Sequence, residues 1–177
     1  MISKILISTF LVATRRCGNF FLLSGIICGA AFSQSRKLPS VNVKTLNGKV
    51  YNTSKISNDG KPVMLAFWAT WCGPCKKELS ALSEVYDDWK KETGVKIVAV
   101  SIDDSKSSAK VPSTVSGMGW DYEILIDENA DFKRAMGVNM PPHAFVLNGK
   151  GEIVWEHVGF KEGDEDIYLN AIKKAMN

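Results

Sequence analysis

Two cysteines three residues apart, Cys72 and Cys75, are the side chains of this chain best placed to do chemistry. A C-x-x-C pair spans one helical turn, so the two sulfurs can meet and close a small disulfide ring. The residues between and before them strengthen that reading. Trp71-Cys72-Gly73-Pro74-Cys75 lies where an apolar run, residues 63–69, gives way to a helical pattern over residues 76–92. The first cysteine then falls at a helix N-terminus, where unpaired backbone N–H groups and the positive end of the helix dipole stabilise a thiolate. Gly73 relieves crowding, and Pro74 suits the first turn because its missing N–H has no helical partner to lose. The competing use of such a pair is half of a zinc site. Zinc wants about four ligands, and only His143 and His157 could supplement the sulfurs. The strand-to-helix setting favours redox chemistry.

The elements that must hold this pair follow from periodicity. Residues 63–69 are apolar throughout, which predicts a strand buried on both faces and therefore a central parallel one. Leu79, Leu82, Tyr86 and Trp89 recur at helical spacing, Gly94 supplies a stop, and residues 96–102 read as a second buried strand. Strand, helix and strand make a right-handed βαβ unit. Upstream, Val41 and Val43 alternate, and Asn47-Gly48 predicts a two-residue hairpin turn. Residues 34–38 read as a polar tether. Downstream, residues 105–117 predict a helix that Pro112 bends or shortens, residues 122–126 a short strand, and residues 131–136 a short helix closed by Gly137. Residues 143–147 and 152–158 predict an antiparallel hairpin. Asp164 is expected to cap a final helix with Ile167, Ala171, Ile172 and Ala175 facing inward. Trp68 is expected in the core and Trp71 at the rim of the site. Trp89, Trp120 and Trp155 are taken as packing residues, and His157 as surface. The expectation is one α/β domain with a central mixed sheet.

The N-terminus is different in kind. Residues 5–13 and 20–32 are apolar runs separated by Arg15 and Arg16, and Ala31-Phe32-Ser33 gives a small-residue cleavage pattern. Residues 1–33 are therefore expected to be a signal peptide or an uncleaved N-terminal anchor, and residues 34–177 the folded domain. Lipid attachment at Cys28 is disfavoured by the bulky Ile27 before it. Three of the 22 basic residues, Lys4, Arg15 and Arg16, lie in this leader with no acid, so the rest of the chain balances 19 basic residues against 19 acidic ones. A nucleic-acid partner held by a basic face is not expected. With Cys17 and Cys28 in the leader, the body carries one C-x-x-C and no other thiol, which excludes a multi-disulfide scaffold.

The segment Phe67-Trp68-Ala69-Thr70-Trp71-Cys72-Gly73-Pro74-Cys75-Lys76-Lys77-Glu78 resembles the active-site segment of thioredoxin-fold proteins, and is most similar to the secreted TlpA-like thiol-disulfide oxidoreductases. The similarity extends to residues 46–49, to an extra helix and strand inserted over residues 105–127, and to residues 142–147. The resemblance implies a thioredoxin-like fold, a mixed sheet flanked by helices with an N-terminal extension and that insert, and no cofactor beyond the dithiol. It implies a cis-proline facing the cysteines at Pro142, preceded by Pro141, which cannot donate an N–H to a bound peptide. It also gives Glu78 a part in setting the proton affinity of the thiols, against a solvated helix-face charge as the plainer reading. Ala66 stands where thioredoxins proper carry a buried aspartate, and Ser80 where the helix usually has a kinking proline.

The expected function is extracytoplasmic disulfide exchange with client proteins, more as reductase than oxidase, with electrons from a membrane thiol donor. Cys72 and Cys75 carry the chemistry; Trp71, Gly73, Pro74, Glu78 and Pro142 support it; Pro141 and His143 contact the substrate. Two alternatives stand beside it. One is a thiol peroxidase, for which Thr70-Trp71-Cys72 lacks the rest of the required loop. The other is a metal-handling module using Cys72, Cys75 and His143.

Overall fold

The computed structural model describes residues 36–176, and the expected leader at residues 1–33 lies outside them. Its organising element is β3 (Val63–Trp68), in which all six residues are buried. It lies parallel to β4 (Lys96–Ser101) on one side and antiparallel to β6 (His143–Leu147) on the other. A strand flanked on both edges and covered on both faces has no place for a polar side chain, which is why the run shows no alternation. β5 (Glu123–Ile126) runs parallel to β4, and β1 (Asn42–Thr45) joins it antiparallel. With β2 (Val50–Asn52) and β7 (Ile153–Val158) at the edges, the order is β2-β1-β5-β4-β3-β6-β7.

Helices cover both faces. α1 (Gly73–Thr93) connects β3 to β4 and ends at Gly94, whose φ of 69° only glycine adopts without cost. It packs with α4 (Glu165–Lys174) on one face, where Tyr168 of α4 meets Trp155 of β7. α3 (Asp131–Met136) lies on the other face, where Phe132 packs on Phe67, itself edge-on to Phe145. α2 (Val111–Met118) precedes β5 and turns Val111 and Val115 inward.

Four details depart from expectation, each for a local reason. The β1–β2 turn is a three-residue loop: Gly48 N–H donates to Thr45 O and Thr45 N–H to Lys49 O, with a positive φ only at Gly48. A type I turn followed by one left-handed glycine needs a single positive φ, so Asn47 stays in ordinary territory. The tether is docked at residues 36–37: Ile153 N–H donates to Arg36 O at 2.7 Å and Lys37 bridges Glu152, capping the outer edge of β7. Residues 105–107 are not helical, since Asp104 Oδ1 accepts the N–H groups of Lys106 and Ser107. Pro112, expected to bend or shorten the helix, does the latter: it stands in the first turn of α2, which begins only at Val111. On α4 the buried stripe is Tyr168, Ala171, Ile172 and Ala175, while Ile167 is 42% exposed. Positions 168, 171, 172 and 175 follow one another at helical spacing, and Ile167 sits a full step off that face.

The β6–β7 turn presses on the loop before β3. A Cβ built on Gly149 falls 2.0 Å from the carbonyl oxygen of Gly60, whereas one on Gly117 in α2 meets nothing within 4 Å. Gly149→Ala is expected to destabilise the fold by about 1–3 kcal/mol. Gly117→Ala is expected to stabilise it by about 0.5–1 kcal/mol through helix propensity. Urea unfolding of both variants against the parent checks the opposite signs.

Candidate active site

β3 ends at Trp68 and the chain must turn from strand into helix within four residues. A buried carboxylate fixes that turn. Asp103, fully buried just past the end of β4, accepts the Thr70 N–H at 2.8 Å, the Thr70 hydroxyl at 2.6 Å and the Ser101 hydroxyl at 2.8 Å. Parallel pairing of β3 with β4 puts these strand ends side by side, and three donors offset the cost of burying the carboxylate. Cys72 N–H then donates to Ala69 O, and Cys72 becomes the N-cap of α1, its sulfur accepting the Cys75 N–H at 3.2 Å. The two cysteines are joined in a disulfide. Cys72 keeps 6% of its surface and Cys75 none.

Trp71 is 63% exposed beside the disulfide, and Gly73 and Pro74 are exposed in the first turn. From Gly73 and Pro74 a surface groove of about 750 Å³ runs along α1 past Lys77 and Ala81 to Phe160. The Pro141–Pro142 bond is cis, the geometry the resemblance implied, with Pro142 buried and its carbonyl accepting the Gly159 N–H at 2.8 Å. His143 is buried, its ring stacked on Phe145 at 4.4 Å, on the face of the sheet that carries Phe67 and α3. Burial pushes its pKa down. Among the described residues no group of three or more His, Cys, Asp or Glu side chains could hold a metal ion, so Cys72, Cys75 and His143 do not form one.

Glu78 is not a solvated helix charge. It is fully buried one turn beyond Cys75, on the same side of α1. Its Oε1 accepts the Tyr168 hydroxyl at 2.7 Å, and its Oε2 has no hydrogen-bond partner. Desolvation raises its pKa to about 7, the Tyr168 hydroxyl opposes that rise, and the charge of Asp164 adds to it. Tyr168 in turn is pushed up by burial and by Glu78. Asp164 is 2% exposed and does not cap α4 with its side chain; Oδ2 accepts the Lys161 N–H at 2.9 Å and lies 3.4 Å from His157 Nε2. His157, expected at the surface, is therefore half-buried, with its ring stacked on Trp155 and edge-on to Tyr168.

Asp103, Tyr168, Asp164 and His157 were not singled out as site residues by the sequence. Ser101 and Asp103 directly after a buried apolar run did offer a signal, since the C-terminal ends of parallel strands gather functional groups. The Glu78–Tyr168 pair offered none, being 90 residues apart.

A disulfide closing the first turn of the helix that follows a central strand, with a cis-proline leading into the antiparallel strand beside it, defines a thioredoxin-fold redox protein. Residues 35–156 match the AhpC/TSA family. Thiol-disulfide oxidoreductase ResA of Bacillus subtilis is 32% identical over 144 residues, covering 81% of this chain and 78% of that protein. Among solved structures, a thioredoxin-like protein of Porphyromonas gingivalis superposes with a TM-score of 0.71 at 45% identity, covering 78% of this chain and 91% of its own. StoA from Bacillus subtilis gives 0.60 at 27% identity, covering 75% and 97%. The chain belongs to the AhpC/TSA family, within its ResA/TlpA-like thiol-disulfide oxidoreductases.

The raised pKa of Glu78 has a consequence for stability. In the unfolded chain its carboxyl ionises at the ordinary value of 4.5, and in the folded protein only near 7. Between these the unfolded state loses a proton that the native state keeps, so this group's stabilising contribution is full below 4.5 and is lost as pH rises through about 7. Glu78→Gln keeps an acceptor for Tyr168 and removes the ionisation. The variant is expected to gain on the order of 2–3 kcal/mol over the parent at pH 8, with the gain shrinking toward pH 5. Denaturant unfolding across that range checks it.

Proposed function

We propose that the protein reduces disulfides of client proteins outside the cytoplasm, with Cys72 as the attacking and Cys75 as the resolving thiol. The observation that carries this is the disulfide at the start of α1, in which only Cys72 keeps any surface. In the reduced enzyme, Cys72 thiolate attacks a client sulfur, forming a mixed disulfide and releasing the second client sulfur as a thiolate, which takes up a proton. Cys75 then loses its proton and attacks Cys72 Sγ; the Cys72–Cys75 bond forms, and the first client sulfur leaves with its electron pair and is protonated. Two electrons pass from enzyme dithiol to client. Glu78, with one buried oxygen unpartnered, is the acceptor for the Cys75 proton in this reading.

The exposed Trp71 and the groove along α1 leave room for a polypeptide against the disulfide, and Pro141 adds a half-buried apolar rim without an N–H. His143, stacked and buried, contributes through the position of its backbone at the start of β6. Thr70 gives both its N–H and its hydroxyl to Asp103, which favours disulfide exchange over peroxide reduction at Cys72. The apolar, positively flanked pattern of residues 1–33 supports export, as cleaved leader or anchor, with residues 34–177 as the redox domain. In an oxidising compartment a reductase needs an electron supply, for which a membrane thiol donor is the chemical class that fits.

Cys75→Ser is expected to accumulate covalent complexes with client proteins that a reductant dissolves, while Cys72→Ser forms none. Equal trapping by both would reverse or remove the assignment. The reduction potential of the Cys72/Cys75 couple, measured against a glutathione or dithiothreitol buffer, decides direction. A potential well below that of glutathione supports the reductase, and one well above it overturns that direction in favour of an oxidase.

A further inference from the structure

The Cys72–Cys75 ring has one half that the helix holds and one half that something else must hold. Cys75 lies in the first turn of α1 and is fully buried, so its place is set by the helix. Cys72 is outside the helical backbone: it is the N-cap, with an extended φ of −87° and ψ of 103°, and its sulfur is placed by the way residues 69–72 enter α1. The last pair of the β3–β4 ladder is Trp68 with Ser101, and Ile102 N–H then donates to Trp68 O at 2.8 Å. One residue further, the Asp103 side chain takes over from the ladder: Oδ2 accepts the Thr70 N–H and Oδ1 the Thr70 hydroxyl, two residues before Cys72. The carboxyl is itself locked to the end of β4, since the Ser101 hydroxyl donates to Oδ2 at 2.8 Å and accepts the Asp103 N–H at 3.1 Å. The approach to Cys72 is thus fastened to the central strand pair through two atoms of one half-buried threonine.

Attack on a client disulfide needs Cys72 alone, whereas the resolving step needs the two enzyme sulfurs placed for each other. In that step the Cys75 thiolate attacks Cys72 Sγ; the Cys72–Cys75 bond forms, the bond from Cys72 to the client breaks, and the client sulfur leaves with the electron pair and takes up a proton. The rate of this closure, and the stability of the ring it makes, scale with the effective concentration of one thiol at the other, which falls as the segment carrying either is freed. We infer that Asp103 and Thr70 are positioning residues for ring closure: their two hydrogen bonds hold the Cys72 end of the pair against the Cys75 end, which speeds resolution of the mixed disulfide and lowers the reduction potential of the couple. This rests on the reading of Cys72 as attacking and Cys75 as resolving thiol. The potential is then set in part from β4, by side chains whose hydrogen bonds go to one another and to the loop, not to the sulfurs.

Thr70→Val removes the hydroxyl bond at nearly unchanged shape, keeps the N–H bond and alters no charge, while Thr70→Ser restores a hydroxyl. In a glutathione redox buffer the Thr70→Val disulfide is expected to form about three- to tenfold less favourably than the parent's, a rise of about 15–30 mV in potential at about 30 mV per tenfold for two electrons. With a cystine-bridged synthetic peptide, acid quench and mass spectrometry, the reduced variant is expected to accumulate the mixed disulfide on Cys72. Its resolution slows about three- to tenfold, and the first attack stays within about twofold of the parent rate. Thr70→Ser is expected to bring both quantities back toward the parent. Gly149→Ala, which weakens the fold at the far end of β6, controls for a merely structural effect and is expected to leave the potential unmoved. The inference is overturned by an unmoved potential or an unslowed resolution in Thr70→Val, by a Thr70→Ser variant displaced as far as Thr70→Val, or by an equal shift in Gly149→Ala. Should Thr70→Val fail to fold, Ser101→Ala, which frees Asp103 from β4, is read in its place: the same rise in potential is expected, and an unmoved one overturns the inference. Failure of the underlying reading looks different: the peptide would then be found on Cys75 and Cys75→Ser would trap nothing, while the potential of Thr70→Val is still raised.

Discussion

β3 has no solvent-facing side, and most of the architecture follows from that constraint. Six consecutive buried residues demand a neighbour on each edge and helices on each face, and they meet β4, β6, α1 and α3. Such a strand reaches the surface only where it ends. There the chain must reverse into α1, and the unpaired N–H groups of the new helix sit where the strand comes up from the core. Cys72 occupies that point as the N-cap, and its sulfur already accepts a helix N–H. Reactivity is thus a by-product of how a doubly covered strand has to terminate, provided the residue there is a thiol.

Holding that termination in place falls to polar groups that the core tolerates because they are bonded. Asp103 ties the loop after β3 to the end of β4 through Thr70 and Ser101, so the position of Cys72 is referred back to the parallel strand pair. Asp127 does the equivalent work at the end of β5, its two oxygens accepting the N–H groups of Phe132 and Lys133 at the start of α3. Glu78 and Asp164 differ from these two in keeping one oxygen each without a partner. A buried carboxylate with all its acceptors used is a structural tie; Glu78, buried with an acceptor left over, is instead held closer to its neutral form.

What the sequence made legible was whatever is local. The apolar run of β3, the helical stripe of α1, the stop at Gly94, the closure of α3 at Gly137 and the redox dithiol itself were all readable, because each is decided by residues within a turn or a strand of one another. The departures share the opposite cause. Glu78 and Tyr168 meet only because α1 and α4 cover the same face, and nothing near either residue announces it. His157 looked superficial because its partners, Asp164 and Tyr168, belong to the element that follows it. Ile167 reads as inward because it is apolar, but the identity of the buried stripe is set by where the helix begins, and a tyrosine with a buried hydrogen-bond partner outranks an isoleucine one step off the axis of contact.

Ala66, Ala99 and Ala144 lie side by side across β3, β4 and β6, all fully buried, in the row where a thioredoxin would place its strand-borne aspartate. A row of methyl groups carries no acid, and the acid instead rides on α1 as Glu78. The difference in address has a physical effect. A carboxyl on β3 is fixed relative to the thiols by the way helix packs on sheet, so any small movement of the helix changes their separation. A carboxyl three residues after Cys75 on the same helix moves with the thiol as one rigid body. Its environment, by contrast, is supplied from α4 and the residue before it, through Tyr168 and Asp164. The distance between acid and thiol is therefore set by local helical geometry, while the charge of the acid is governed by tertiary contacts, and the two can be altered independently.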